Sequence, residues 1–450
     1  MASDGHPDGD LSRGDTSGQA HVALFALGMM SGMLVLMIAQ LLLPEREDPA
    51  TAEFEAVREF TQRNFVRELG SEELVTRALS GMLDGLDPYS RYYDDQSSER
   101  ARREIEGDFR GVGVVFRAPI ARGQVLFPIE DSPASRAGVR VGDQLLRVDG
   151  AEVESRTGAE LRELLAARGR RSIALDVEGL DGELRSLTVE PDLLLDPTVR
   201  HPELLDGIPG AGYVAVRSFS HRTPDEFDAA VLALRERGVR TLVVDLRFNL
   251  GGVLAAAIHM ASRFIDEGVI VSSEGRVRRE VHSAGEVEAL FRDMGLVVLV
   301  DGDSASASEV FAGAIQDHRR GVLVGEPTYG KGMIQLTQSF PEFGTRAKVT
   351  SGYYYSPSRR NFERSSDPDR DSGILPDVMV PVEQDTRSRV HAWLARYDPP
   401  LASLEALFAW DAAEDGGVLP RPPEDPQLDV ARSILAGDHP APGRRDGAGD

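Results

Sequence analysis

Three serines separated by alanines, Ser304, Ser306 and Ser308, lie in the run Asp301–Glu309, where an apolar strand at 296–300 gives way to a helical pattern at about 306–319. A serine hydroxyl becomes a useful nucleophile when a neighbouring base takes its proton. One serine at such a junction is ordinarily an N-cap; three are more than a cap requires. Small neighbours let a substrate backbone come close, and a helix N-terminus offers N–H groups and a positive dipole end to a developing oxyanion. His318 and Asp317 lie in the same helix, ~18 and ~16 Å along its axis from Ser306, so neither reaches the first turn of a straight helix. Lys331 does. The helix carries the chain out by ~20 Å, and a strand at 321–326 returns it by a similar distance. That sets Tyr329-Gly330-Lys331-Gly332 beside the serine loop. A lysine acts as a base only when neutral, so burial must lower its reference pKa of ~10.4 by several units. Residues 331, 333 and 335 share one face of an extended strand, which places Gln335 to hold the amine by hydrogen bonding. Serine–lysine pairs are a known variant of triad chemistry, but the spacing alone does not choose among the three serines.

Two glycine clusters accompany this loop. Asp245-Leu-Arg247-Phe-Asn249-Leu-Gly251-Gly252 closes a buried strand at 241–246, the position where open α/β sheets place their sites. Its paired glycines either present a backbone N–H to an oxyanion or make a tight turn into the next helix. Gly111-Val112-Gly113-Val114 precedes an apolar strand. Its N–H groups suit a peptide's terminal carboxylate, with the next strand taking up the peptide as an added strand; a plain glycine turn is the alternative. Gly325–Lys331 fits GxxxxGK, yet Gly332 stands where Mg²⁺ binding wants Ser or Thr, and Glu326 and Pro327 are poor in an anion cradle.

The elements that must position these residues follow from the hydrophobic period. Residues 1–21 read as a disordered tail, and 22–43 are almost continuously apolar, about 33 Å of helix and enough for a bilayer. A cleavable signal peptide is the rival reading, although no small-x-small site precedes Pro44. Amphipathic helices at 52–66 and 71–86 end in Asp87-Pro88-Tyr89-Ser90. Short strands and glycine turns fill 106–190. Alternating strands and helices from about 205 predict an α/β layer. Helical segments at 385–397 and 402–410, a linker at Pro420–Pro426 and a disordered end complete the chain. The 450 residues carry a formal net charge of −24 and no cysteine. That charge disfavours nucleic acid as a partner, and the missing thiols exclude disulfides, thiolate zinc sites and cysteine nucleophiles. No cofactor and no metal is expected.

Several motifs in order resemble the carboxy-terminal processing peptidases, also called tail-specific proteases, over about 52–385. They are Leu86-Asp87-Pro88, SPASRAGVRVGDQLLRVDG at 132–150, the DLRxNxGG stretch at 245–252, the SASASE loop and GEPTYGKGMIQ at 325–335. Leu250 departs from the usual proline, Phe248 from a polar residue, and the 359–372 insert is longer than the family's turn. The resemblance implies an α/β peptidase core with an inserted PDZ-like α+β domain, an N-terminal helical segment and one transmembrane helix. The expected domains are a cytoplasmic tail (1–21), an anchor (22–43), a helical region (50–105), a PDZ-like domain (106–190), a peptidase domain (191–385) and a C-terminal extension (386–450). It implies Ser306 as nucleophile, Lys331 as base and Gln335 as its support. Ala307 with Gly251 or Gly252 would form the oxyanion hole, Asp317 is a candidate supporting residue, and Gly111–Val114 would bind the substrate's end. The implied activity is ATP-independent cleavage of extracytoplasmic proteins near their C-termini, with the chain in a bacterial inner membrane and its catalytic domain in the periplasm. Implied partners are protein tails, the membrane and a second copy or an adaptor. A catalytically silent PDZ scaffold is the alternative.

Overall fold

The computed structural model describes residues 24–35, 37, 48–94, 108–117, 124–129, 131–154, 156–166, 169–195, 197–364, 372–396 and 421–438. The chain divides into two units, 1–79 and 80–450. In the first, residues 24–35 are helical and their large apolar side chains are exposed. The rest of the expected 22–43 span, residue 37 apart, lies outside the described residues. Among the described residues no helix is long and apolar enough to cross a membrane. Helix α1 (Pro49–Asn64) buries no residue, and Arg58 donates from it to Ser71 Oγ at 2.8 Å. Helix α2 (Ser71–Asp84) runs across the boundary between the units.

In the second unit a short strand β1 (Arg91–Tyr93) precedes a small module. Strands β2 (Asp108–Gly111), β3 (Val114–Arg117) and β4 (Gln124–Pro128) lead to a one-turn helix α3 (Pro133–Arg136). Ser132 caps that helix, and its hydroxyl donates to Gly113 O at 2.9 Å, so the SPAS sequence stitches the glycine loop to the helix. Strands β5 (Asp143–Val148) and β6 (Ala151–Glu152), helix α4 (Gly158–Leu165), and strands β7 (Ile173–Glu178), β8 (Leu184–Val189) and β9 (Asp192–Leu195) follow. The sheet order is β3-β4-β5-β7-β8, with β6 beside β5. Leu126, Leu145, Leu161, Ile173, Leu175 and Val177 fill its core. Strand β3 is an edge of this sheet, and β2 pairs with β9, so one ribbon joins the module's entry to its exit.

Strand β10 (Val199–Leu204) opens the larger layer, followed by β11 (Ala211–Val216), helix α5 (Thr223–Glu236), β12 (Thr241–Asp245), helix α6 (Leu254–Ser262), and the hairpin β13 (Val269–Gly275) and β14 (Arg279–Ser283). Then come β15 (Gly295–Val300), helix α7 (Ala307–Asp317), β16 (Val322–Gly325), the long hairpin β17 (Met333–Phe340) and β18 (Thr345–Tyr355), β19 (Val378–Met379), helix α8 (Gln384–Arg396) and helix α9 (Pro426–Ala436). Six strands form a sheet in the order β10-β11-β12-β15-β16-β19, parallel from β11 onward. Both faces are covered, which is why 211–216 and 241–246 read as near-continuous apolar runs. Val214, Val244 and Val298 pack under Phe227, Phe264 and Phe311 on one face. Tyr213, Val243, Val297 and Leu299 pack under Ala431, Leu428 and Ile434 of α9 on the other. A second, antiparallel sheet joins β1, β18, β13 and β14, with β17 on the other side of β18.

Residues 421–425 carry no regular secondary structure, in keeping with the linker expected at Pro420–Pro426, but Asp425 at their end is an anchor. Asp425 caps α9 through Leu428 N (3.1 Å) and holds both terminal nitrogens of Arg247 at 2.8 Å. Arg247, 3% exposed at its side chain, also bonds Asp245, and Gln427 Oε1 accepts from it at 3.1 Å. The charge-assisted pairing secures a cover that the apolar period alone does not specify. The expected helix at 402–410 lies outside the described residues. Replacing Asp425 by Ala removes a cap and a bidentate ion pair while leaving Arg247 its Asp245 partner. Urea unfolding of this variant is expected to show a loss of about 2–4 kcal/mol.

Candidate active site

Three adjacent parallel strands, β12, β15 and β16, release their chains at the same carboxyl edge. The loops that follow bring together Asn249–Gly252, Asp301–Ser306 and Glu326–Gly332. Their seams are explicit. Ala305 N donates to Asn249 O (3.0 Å), and Tyr329 N donates to Ser304 O (3.0 Å). Asp301, 1% exposed, accepts Phe248 N at 3.0 Å and Ser304 N at 3.1 Å, and pairs with Arg387 of α8 at 3.1 Å.

The three serines separate by role. Ser304 is fully buried; its hydroxyl donates to Leu246 O at 2.8 Å and accepts Asp301 N at 3.0 Å. Ser308 is fully buried and donates to Asn249 O at 2.9 Å. Both fasten one loop to the other. Ser306 stays partly exposed at the N-cap of α7, with φ 57° and ψ −113°. That combination is strained for a residue with a Cβ, at a cost of about 1–3 kcal/mol, and persists only where the surroundings enforce it.

The enforcing group is Glu309, which sequence reasoning left unassigned within the SASASE motif. It has no exposure to solvent. Its Oε2 accepts Ser306 N and Lys331 N, each at 2.8 Å. Its Oε1 accepts Gly330 N at 2.7 Å and Thr328 Oγ1 at 2.6 Å. Ser306 and Lys331 thus hang from one oxygen, and twice that distance is the most that can separate their backbone nitrogens. Burial pushes the Glu309 carboxyl above the usual carboxylate range, while these donors pull it back. The available signal was the acidic residue three positions after an N-cap serine, the spacing at which a side chain reaches back to the cap N–H. The same bonds occupy N–H groups of the GxxxxGK stretch, which are therefore not free to cradle a phosphate.

Gly251 and Gly252 are required by space as well as by φ (98° and 143°). A Cβ on Gly251 would meet Ala305 O at 2.6 Å and Ser306 Cβ at 2.9 Å, and one on Gly252 would stand 2.0 Å from Phe219 O. Gly251 N–H is already used, donating to Asn249 Oδ1 at 2.9 Å. Among the described residues, the N–H groups of Gly252 and Ala307 have no protein acceptor.

Burial, and secondarily the charge of Lys348, hold the Lys331 amine below the ordinary lysine value, against the opposing pull of Glu309 and Glu363. The Gln335 amide donates to Met333 O at 3.2 Å, within its own strand, which begins at Met333 and so leaves Lys331 outside the extended face expected for 331, 333 and 335. Asp317 lies at the far end of α7, where it accepts Ser358 N at 2.9 Å and pairs with Arg360. It braces the segment leading to Glu363, whose carboxylate accepts Gly332 N at 2.7 Å. His318 bonds Val269 O at 2.7 Å, away from the serine. Gly111–Gly113 are buried at the entrance to edge strand β3.

A strained serine at a helix N-terminus, a lysine lowered by burial and a small sheet module with a free edge together define a serine-type peptidase with a PDZ domain. Residues 210–380 match peptidase family S41 and residues 126–179 match the PDZ domain. These matches mark the chain as a serine-type peptidase similar to carboxy-terminal-processing proteases. It is similar to a carboxy-terminal-processing protease of Bartonella bacilliformis, 29% identical over 435 residues, covering 93% of this chain and 96% of that protein. It is also similar to a probable CtpA-like serine protease of Staphylococcus saprophyticus, 29% identical over 72% of this chain and 64% of that protein. Among solved structures, the photosystem II D1 C-terminal processing protease is 26% identical, covering 73% of this chain and 88% of that one, with a TM-score of 0.41.

Two outcomes follow from this geometry. Glu309→Gln turns one acceptor end into a donor facing N–H groups. It should lower kcat/KM at least about tenfold and destabilise the fold by about 2–4 kcal/mol in thermal unfolding. Ser306→Gly relieves the positive φ that Ser306→Ala retains, so the glycine variant should be the more stable inactive form by about 1 kcal/mol.

Proposed function

We propose that this serine-type peptidase cleaves extracytoplasmic proteins near their C-termini with Ser306 as nucleophile and Lys331 as general base. The observation that carries the reading is the single buried oxygen of Glu309 that holds Ser306 N–H and Lys331 N–H together. Ser306 Oγ attacks the scissile carbonyl carbon as the neutral Lys331 amine takes its proton. The oxyanion develops between the N–H groups of Ala307 and Gly252, at the positive end of α7. Collapse breaks the C–N bond, the ammonium returns its proton to the leaving amine, and an ester to Ser306 remains. Water, deprotonated by the same amine, then releases the acid and restores the serine.

Edge strand β3 supports substrate capture, because an added peptide strand can pair there with its carboxylate at Gly111–Val114. The apolar run at 22–43 supports a membrane anchor that places the catalytic unit outside the cytoplasm. The strain held at Ser306 and the lowered Lys331 favour an active enzyme over a silent scaffold, since a binding module has no use for either.

Ser306→Ala and Lys331→Ala should each lower cleavage of an unstructured protein substrate by at least about a thousandfold while remaining folded. Retention of the wild-type rate by either variant sinks the dyad. A lowered lysine pKa makes the neutral amine more abundant as pH rises. The kcat/KM of wild type should therefore climb with pH through that value and level off below the ordinary lysine value of 10.5. A profile flat from about pH 5 to about pH 10 would exclude lysine as the base.

A further inference from the structure

We propose that the turn Asp87–Ser90 is the roof of the catalytic centre, with the Tyr89 ring closing over the Lys331 amine and keeping water from it. The inference rests on the reading of Lys331 as the base. Lys331 Nζ stands 5.0 Å from the centroid of the Tyr89 ring. The Tyr89 phenol also neighbours Tyr329, two residues before Lys331, and burial together with that neighbour pushes the phenol up. The Tyr329 ring is in turn covered by the Arg364 guanidinium at 4.6 Å.

The turn itself is held rigidly. Asp87 Oδ1 accepts Tyr89 N and Ser90 N, both at 2.8 Å, and Asp87 Oδ2 accepts Ser90 Oγ at 2.8 Å. Ser90 is buried, and its hydroxyl accepts Thr350 N from β18 at 3.1 Å. Strand β1 then pairs Arg91–Tyr93 with Lys348–Arg346. The same segment lays Tyr93 against Lys348, whose Nζ is 5.6 Å from the Tyr93 ring. A segment far in sequence from the serine and lysine loops therefore places one aromatic ring on each of two lysines, and one of them is the proposed base.

Several groups set the charge of Lys331. Glu309 of α7 and Glu363 favour the ammonium, while burial and Lys348 of β18 oppose it and prevail. Arg364 and Tyr329 complete the surroundings through Tyr89. The Tyr89 ring has two opposite effects. Its face attracts a cation and favours the ammonium; its bulk displaces water and favours the neutral amine. With the ring centroid 5.0 Å from Nζ and burial pushing the amine down, the ring is assigned the part of a cover.

The test is the pH profile of kcat/KM for the full chain as wild type, Tyr89→Ala, Tyr89→Phe and Lys331→Ala. Removing the ring should move the rising limb up by about one pH unit. At pH below the limb that is about a tenfold loss, and activity should return toward wild type at high pH. Tyr89→Phe keeps the ring and should restore most of the limb. A second variant, Tyr89→Gln, fills the space with a polar chain and should shift the limb in the same direction as alanine. A role in stability alone would lower activity at every pH without moving the limb. A limb that stays in place or moves down in Tyr89→Ala, with Lys331→Ala dead, overturns the roof and leaves the dyad standing. An active Lys331→Ala overturns both.

Discussion

A single buried carboxylate organises the catalytic end of this protein. Glu309 can accept but not donate when ionised, and four donors from two loops converge on it. Taking a carboxylate out of water costs several kcal/mol, so it is tolerated only where its lone pairs are filled. Charge-assisted hydrogen bonds at ~1.5–3 kcal/mol each are of the size needed. The consequence is geometric. A strained Ser306 and the glycine-flanked Lys331 cannot drift apart without stranding that charge, and their register no longer depends on side-chain contacts between them.

The parallel sheet supplies the frame in which this carboxylate acts. Its carboxyl edge delivers three loops side by side, and two of them are tied from a direction the sheet does not provide. Arg247, at the start of the glycine loop, is held by Asp425 ahead of α9. Asp301, at the start of the serine loop, is held by Arg387 of α8. Phe248, between them, lies against the His391 ring at 4.5 Å. The C-terminal extension thus covers the sheet and braces two of the three loops. An acidic surface composition gives no hint of that role, because the residues involved are the few charges that become buried.

The readable part of the sequence was the part governed by local period and by type. Doubly covered strands, helix starts at Ser132 and Thr157, and glycines forced by φ all leave a mark within a few residues. The α/β layer, the small inserted sheet and the serine and lysine loops were legible on that basis. The choice among three serines was not, because it depends on which hydroxyls find buried acceptors: Leu246 O for Ser304 and Asn249 O for Ser308. Gln335 was placed on the lysine face by alternation along one extended strand, but that strand starts at Met333 and Lys331 precedes it. The antiparallel sheet of β1, β13, β14, β17 and β18 went unread because its pairings run across long separations, from Arg91 to Lys348 at the extreme. The anchoring part of Asp425, at the end of the expected linker, went unread for the same reason, since it takes its meaning from Arg247.

Keeping a lysine neutral is a problem of exclusion rather than attraction. Two carboxylates lie close enough to Lys331 to raise its pKa, and one of them, Glu309, cannot be dispensed with because it sets the geometry. The fold therefore cannot obtain a free amine by removing negative charge. It has to add burial and a second cation, and both arrive on the antiparallel sheet: Lys348 on β18, and Tyr89 on the turn that β18 anchors through Thr350. The parallel sheet positions Ser306, and the antiparallel sheet supplies Lys348 and the anchor of the turn beside Lys331. Glu309 ties the backbones of Ser306 and Lys331 to one point, while Asn249 O holds the serine loop through Ala305 and Ser308, so the surroundings of the Lys331 amine are set by the antiparallel layer and its backbone position by the parallel one.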